Sequence, residues 1–325
     1  MSKHPGEFEL IARFFTRAPS RAVLGVGDDA ALLAPTPGMQ CAVTADMLVE
    51  GRHFFAGTDP EALGHKALAV NLSALAAMGA RPTALLLALA LPESDSDWLA
   101  AFSRGLFALA EAHDVELVGG DTTRGPRTIS ITAIGEVPPG QALRRDAARA
   151  GDAVWVSGSP GDARLALGHL RGEWRLPEFD SALRARLERP TPRVALGLAL
   201  RGVANAAIDV SDGLLGDLGH VLRASGVGAE LQVDAIPTSA ALAAQPTLRR
   251  RTCQLAGGDD YELLFTAPQS AHGAVLRAAA AAATPVARIG SITAAAGLRL
   301  LDATGNAWPD ADVDALGGFD HFRSR

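Results

Sequence analysis

Lysine is almost missing from this chain of 325 residues: Lys3 and Lys66 are the only two, and arginine supplies the other cations. A Walker-type phosphate loop ends in Gly-Lys-Ser/Thr. Neither lysine has that context, so this class of nucleotide binder is excluded. The strand lysine and His-Arg-Asp loop of protein kinases are absent too. Cysteine is equally scarce. Cys41 and Cys253 form no C-x-x-C pair, which excludes a dithiol redox centre, a zinc ribbon and a disulfide framework, and both thiols are expected to be buried and reduced. No H-E-x-x-H spacing offers a zinc site. Basic charge is not in excess: 30 Lys+Arg against 36 Asp+Glu gives a net charge of −6, which leaves no positive field for a nucleic-acid backbone or an anionic lipid surface. The longest aliphatic run, Ala84 to Leu91, is far short of the ~20 residues that span a bilayer. Residues 1–10 lack a signal-peptide core. A cytoplasmic protein with neither nucleic-acid nor membrane partners is expected.

What is present is a chain with 48% hydrophobic residues, and at ~150 residues per domain its length indicates two domains. Helical spacing is read over Glu7 to Phe15, Pro60 to Met78 and Asp97 to His113. Strands are read at Ala31 to Leu33, Cys41 to Thr44, Ala84 to Leu91, Glu116 to Val118 and Thr128 to Val137. After Pro138-Pro139-Gly140 the pattern restarts with the strand Ala153 to Ser157. Further strands are expected near 206–209, 229–233 and 262–266, with helices near 194–201, 214–224 and 272–283. This mixture implies an α/β (α+β) chain of two α/β sandwich domains, 1–145 and 146–325, with the boundary in the 138–152 region. Ser157-Gly158-Ser159-Pro160-Gly161 lacks the first glycine of a Gly-x-Ser-x-Gly elbow, so it reads as a structural loop before a helix that could face an anion.

The aspartates carry the chemistry. They gather at five short sites: Gly27-Asp28-Asp29-Ala30, Thr44-Ala45-Asp46, Gly119-Gly120-Asp121-Thr122-Thr123, Asp209-Val210-Ser211-Asp212-Gly213 and Gly257-Gly258-Asp259-Asp260. Any one could be an ordinary turn, since Asp caps helices and tolerates turn geometry. Five of similar design at strand ends suggest carboxylates converging on one sheet edge. Such anions repel unless cations sit among them. Magnesium fits, because it takes oxygen ligands and is usually held by one or two carboxylates together with substrate phosphates.

In this order the five sites, together with Glu50-Gly51-Arg52-His53-Phe54, the Ala69 to Ala80 segment around Asn71-Leu72-Ser73-Ala74, and Gly318-Phe319-Asp320, resemble the thiamine-monophosphate kinase family of the aminoimidazole ribonucleotide synthetase-like superfamily, over essentially the whole chain. The resemblance implies ATP as co-substrate without a P-loop, several Mg²⁺ ions, and phosphoryl transfer to thiamine monophosphate giving thiamine diphosphate. It also implies a homodimer formed through the N-terminal sheets. Carried over by residue, it implies metal ligation by Asp28, Asp29, Thr44, Ala45 (through its carbonyl), Asp46, Asp121, Asp209 and Asp212. Gly120, Asp121, Arg145 and Ser211 are then expected at the nucleotide, and His53, Asp259 and Phe319 at the thiamine phosphate. Asp212 is the residue whose loss is expected to abolish turnover. His53 also fits a capped loop histidine, Arg145 a solvated charge run, and Phe319 ordinary core.

The acceptor is already an anionic phosphate oxygen, so direct in-line transfer needs no strong base and no phosphoenzyme. Rival readings are a purine-pathway ligase or hydrogenase-maturation relative of the same superfamily, a metal-dependent phosphohydrolase, and a nucleotide-binding module without catalysis. The tail Phe322-Arg323-Ser324-Arg325 lacks the C-terminal cysteine of the maturation proteins.

One departure from the family pattern is chemical: Ala74 stands where an aspartate is usual, and its methyl coordinates nothing. One Mg²⁺ is therefore expected to bind more weakly, or with water in that position, while activity persists. Metal titration of Ala74→Asp should lower the Mg²⁺ concentration needed for half-maximal rate, and an unchanged requirement contradicts this.

Overall fold

The computed structural model describes residues 6–308. They divide into two compact units, residues 6–75 with 80–140 and residues 76–79 with 141–308. In the first, a short helix α1 (Glu7–Leu10) runs into a π-helical turn, Ile11–Phe15. The strands β1 (Gln40–Val49), β2 (Arg81–Leu91), β3 (Glu116–Arg124) and β4 (Thr128–Val137) form one sheet in the order β1-β4-β2-β3. The β2–β3 pair is parallel and the other pairs are antiparallel. Parallel neighbours need a crossover, which is α3 (Ser96–Ala112); α2 (Pro60–Ala77) connects β1 to β2. Asp95 starts α3 by accepting the Asp97 and Trp98 N–H groups with its side chain.

Alternation along β2 decides which face is closed. Leu85, Leu87 and Leu89 are at most 4% exposed, whereas Leu86 and Ala90 are half-buried and Ala88 is exposed. Ile129 and Ile131 of β4 continue the closed face, and Leu68, Leu72, Leu99, Phe102 and Leu106 of the two helices are buried with them. The helices approach backbone to backbone. A Cβ on Gly105 would lie 1.8 Å from the Glu61 carbonyl oxygen, and one on Gly64 would lie 2.1 Å from that of Phe102.

The second unit holds β5 (Ala153–Ser157), β6 (Ala206–Asp209), β7 (Gly228–Gln232), β8 (Leu263–Ala267), β9 (Val286–Thr293) and β10 (Gly297–Leu301), in the order β10-β7-β9-β5-β8-β6. β5, β6 and β8 are buried along their whole length, which is why they are mostly apolar, with only Ser157, Asp209 and Thr266 as polar members. Trp155 of β5 stacks on its cross-strand partner Phe265 of β8. The helices are α4 (Asp162–Leu170), α5 (Ser181–Glu188), α6 (Val194–Ala199), α7 (Leu214–Ser225), α8 (Ala240–Ala243), α9 (Thr247–Ala256) and α10 (His272–Ala281). Leu214, Leu218, Val221 and Leu222 of α7 join Val154, Ile208 and Leu264 of the sheet in one core, and Leu165, Leu183, Leu187 and Cys253 form a second.

Three sequence expectations change. β1 and β3 are longer than their apolar runs, so Asp46 and Asp121 lie inside strands, not in turns beside them. Ala31 to Leu33 is no sheet strand; only an isolated Leu24–Leu32 bridge forms there. Cys253 is fully buried, which pushes its thiol up to about 12, but Cys41 is exposed on β1. No helix among the described residues is long and apolar enough to cross a membrane.

Because Gly105 has no room for a side chain, Gly105→Ala must push α2 from α3. A loss of about 1–3 kcal/mol, the usual range for overpacking, is expected in urea unfolding; an unchanged midpoint contradicts the contact.

Candidate active site

In the first unit, Asp28, Asp29, Gly120 and Asp121 line one cavity of ≈ 790 Å³, whose apolar wall includes Phe8, Ile11, Leu86 and Ile134. Strand phase puts Asp121 there. Leu85 pairs with Leu117, but Leu86 pairs with Gly119, so Val118 is an extra residue in β3. A bulge of this kind shifts the register by one and turns every later side chain to the other face. Asp121 therefore shares a row with Ala88, Ser130 and Met47 on the open face. Gly120 makes the close approach possible: a Cβ there would sit 1.8 Å from the Leu87 carbonyl oxygen.

β1 treats its residues differently. Asp46 pairs with Ile131 and Thr44 with Ala133, both on the closed face, so Asp46 and Asp121 project from opposite faces of the sheet. Ala45 is exposed on the open face and offers no side-chain donor. His53 folds back on the end of β1, where its Nδ1 accepts the Val49 N–H at 3.0 Å and its own N–H donates to the Val49 carbonyl at 2.9 Å. That contact places the ring proton on Nε2.

The second unit brings together two acidic loops that are far apart in sequence. The Asp259 N–H donates to the Ser211 carbonyl at 2.9 Å, and the Tyr261 N–H to that of Val210 at 2.8 Å. A Cβ on Gly258 would lie 2.3 Å from the Ser211 oxygen, so only glycine admits this contact. Asp259 has φ of 66°, and the Tyr261 hydroxyl donates to its Oδ1 at 3.2 Å.

The loop that carries Ser211 and Asp212 is held by Asp217 of α7. One carboxylate oxygen, Oδ2, accepts the N–H groups of Ser211, Asp212 and Gly213 at 3.0, 3.1 and 3.2 Å. Burial, then the charge of Asp209, pushes Asp217 up to about 7; Asp212 adds to that repulsion although its N–H opposes it. Arg145 lies in a 3₁₀ turn whose carbonyl accepts the Ser225 hydroxyl of α7 at 2.9 Å. His220 of α7 lies within electrostatic range of both Arg145 and Asp212. Burial, then Arg223 and Arg145, lower the His220 pKa, while Asp212 raises it. Ser211, Asp212, Asp209 and Asp259 are thus brought together within this unit, and Arg145 packs against the other end of α7 at Ser225. Phe319 lies outside the described residues.

The remaining acids of the 257–262 loop turn inward. Asp260 accepts the Gly161 N–H at 2.7 Å before α4, and its burial raises its pKa well above the carboxylate range. Glu262 is forked by Arg193 at 2.6 and 2.7 Å, and takes Arg186 at 3.0 Å and the Ser157 hydroxyl at 2.6 Å. Burial favours its neutral form, but these partners outweigh it and hold the pKa below the ordinary value. The 157–161 loop therefore faces the protein's own carboxylates. Asp217, Glu262 and the two arginines were not singled out in sequence, where each looks like one more surface charge, and Asp260 was read only as part of its acidic turn.

The donor set that the family pattern marks for a metal is made of carboxylate and hydroxyl oxygens, which suits a hard cation. Among the described residues no three His, Cys, Asp or Glu side chains are gathered closely enough to hold an ion by themselves. The expected convergence of the five acidic sites on one sheet edge is therefore not met by side chains alone.

This two-part architecture matches the AIR synthase related protein family, its N-terminal domain over residues 27–137 and its C-terminal domain over 149–302. Within that class the chain is 47% identical to the thiamine-monophosphate kinase of Salmonella typhimurium, over 89% of this chain and 91% of the relative. The crystal structure of thiamine-monophosphate kinase from Stenotrophomonas maltophilia K279a superposes with a TM-score of 0.83 at 49% identity, covering 92% of this chain and 95% of that one. A further structure, AaThiL complexed with AMPPCP and TMP, aligns with a TM-score of 0.76 at 31% identity over 89% of each chain. The chain belongs to the thiamine-monophosphate kinase family.

Because the folded pKa of Glu262 lies below its ordinary value of 4.5, the stabilisation from its ionisation is complete above that pH and is lost as pH falls through the folded value. Thermal unfolding of Glu262→Gln should show a lower midpoint at pH 7 and a flatter acid limb than the wild type. Parallel curves at all pH values contradict this.

Proposed function

We propose that this protein transfers the γ-phosphoryl group of ATP to thiamine monophosphate, forming thiamine diphosphate and ADP, with Mg²⁺. The observation that carries the proposal is the 47% identity to a thiamine-monophosphate kinase over nearly the full length of both chains. It is supported by the structural likeness to a relative complexed with AMPPCP and TMP and by the exposed Asp28, Asp29 and Asp121 that line the cavity of the first unit. The two free cysteines, distant in sequence, fit a reducing cytoplasmic setting.

Mg²⁺, when bound, supplies charge neutralisation between the two anionic substrates. In the first unit we assign Asp28, Asp29 and Asp121 as oxygen ligands at the cavity, Thr44 and Asp46 as ligands of a separate ion on the other face of the sheet, Ala45 as a carbonyl ligand, and Gly120 as the point where backbone approaches a phosphate. In the second we assign Asp209 and Asp212 as ligands, and Ser211 and Arg145 to the nucleotide. His53, Asp259 and Phe319 are assigned to the thiamine phosphate. Asp217 keeps the Ser211 and Asp212 backbone fixed. Reaction through a loose transition state depends on such positioning and on charge placement, not on a covalent intermediate. The attacking phosphate oxygen is already anionic, so no side chain has to remove a proton from it.

A homodimer through the open sheet face is part of the same proposal. Val43 and Met47 of β1 are 63% and 55% exposed there beside Ala45, an apolar strip at the sheet edge.

Incubation with ATP, Mg²⁺ and thiamine monophosphate should yield thiamine diphosphate, with ADP formed only when the acceptor is present. Phosphate release without acceptor marks a hydrolase instead. Asp212→Asn should lose at least about a hundredfold in kcat, the scale for removing one preorganised electrostatic group. Near wild-type turnover at saturating Mg²⁺ refutes its assignment.

A further inference from the structure

The Asp28-Asp29 loop is carried by a segment that hydrophobic burial does little to secure. Val23 and Leu32 are 67% and 54% exposed, and Asp28 and Asp29 are exposed as well. Polar anchors hold it instead. At the start, the N–H groups of Ser20, Arg21 and Ala22 converge on the carboxylate of Glu116, with Ala22 at 2.8 Å from Oε2. Arg21 adds a bond to the Asp114 carbonyl at 3.1 Å and an ion pair with the Asp114 carboxylate. At the end, Thr36 donates its N–H at 2.8 Å and its hydroxyl at 2.7 Å to the two oxygens of Glu136, which also takes Arg81 at 2.6 Å. Between these points Leu24 and Leu32 exchange backbone bonds at 3.2 and 2.9 Å and close the loop whose tip is Gly27-Asp28-Asp29. Glu116 belongs to the same strand as Asp121, five residues before it, and Asp28, Asp29 and Asp121 line one cavity.

We propose that Glu116 and Glu136 are positioning residues: the two carboxylates tether the strap from Ser20 to Thr36 so that Asp28 and Asp29 are presented to the cavity lined by Asp121. This rests on the reading of those aspartates as Mg²⁺ ligands. A carboxylate that accepts several N–H groups loses all of them on truncation, so the loop is released while the closed face of the sheet keeps its apolar core.

The test uses the full-length protein with Glu116→Ala, Glu116→Gln and the surface variant Thr36→Val, which removes one tether bond without touching a strand. Hydrogen exchange of the amides between Ser20 and Thr36 should quicken in each, most in Glu116→Ala, with exchange in β2 and β4 unchanged. Mn²⁺ binding followed by electron paramagnetic resonance should weaken about tenfold in Glu116→Ala. Glu116→Gln should recover part of the loss. The Mg²⁺ concentration for half-maximal rate should rise with kcat at saturating Mg²⁺ within about twofold, and adding Asp29→Asn should change little further, as coupled sites do. Unchanged exchange in the strap overturns the tether. Faster exchange with wild-type Mn²⁺ affinity overturns the positioning role. Absence of thiamine diphosphate formation by the wild type would sink the proposed reaction alone, because exchange and Mn²⁺ binding still report on the strap.

Discussion

A carboxylate oxygen in a folded protein must be met by N–H donors, by a cation or by water, and a chain with 36 acidic residues and only two lysines has to distribute those partners carefully. In this molecule one set of acids is consumed internally. Glu116, Glu136, Asp217 and Asp260 each accept backbone N–H groups from a loop. A second set, Asp28, Asp29 and Asp121 at one cavity and Asp209, Asp212 and Asp259 at the paired loops of the second unit, is carried by the segments that the first set restrains or neighbours. The site is therefore built by division of labour among residues of the same chemistry. The internal acids fix the backbone of the loops that carry the others.

Glycine and a bulge supply the remaining control. Val118 shifts the phase of β3, so Asp121 leaves the closed face and joins the cavity wall. Without that extra residue it would pair with Leu89 among buried apolar side chains, where an ionised carboxylate is strongly disfavoured. In the second unit Gly258 brings the Asp259 loop against the Ser211 carbonyl, which couples two segments some fifty residues apart. Both devices act on backbone, and both serve to place a carboxylate.

Much of the architecture was legible from periodicity. The long helix ending before Gly79, the buried run of β2 and the mostly apolar β5 and β8 carry strong local patterns, because burial on one or both faces imposes them. The acidic sites were legible as sequence features, but not where they lie: Asp46 and Asp121 stand inside strands on opposite faces, and the sites of residues 209–213 and 257–260 belong to the second unit. What could not be read is which acid does which work. Asp259, Asp260 and Glu262 stand within four residues, yet one faces the Ser211 loop, one the start of α4 and one two arginines brought from residues 186 and 193. Nor does sequence reveal that β3 slips at Val118 or that Asp46 and Asp121 emerge on opposite faces, because strand register depends on partners remote in the chain. β9 and β10, with interrupted apolar patterns, were missed for the related reason that their neighbours stabilise them more than their own composition does.

The central claim is that Glu116, Glu136, Asp217 and Asp260 serve to hold backbone, whereas Asp29, Asp121, Asp209 and Asp212 are the carboxylates that meet cations. Anomalous scattering from crystals grown with Mn²⁺, AMPPCP and thiamine monophosphate tests it most directly. The account predicts peaks within coordination distance of Asp29 and Asp121 and of Asp209 and Asp212, with none at Glu116, Glu136, Asp217 or Asp260. Mn²⁺ bound to any of those four, or absent from all of the proposed ligands, would contradict it.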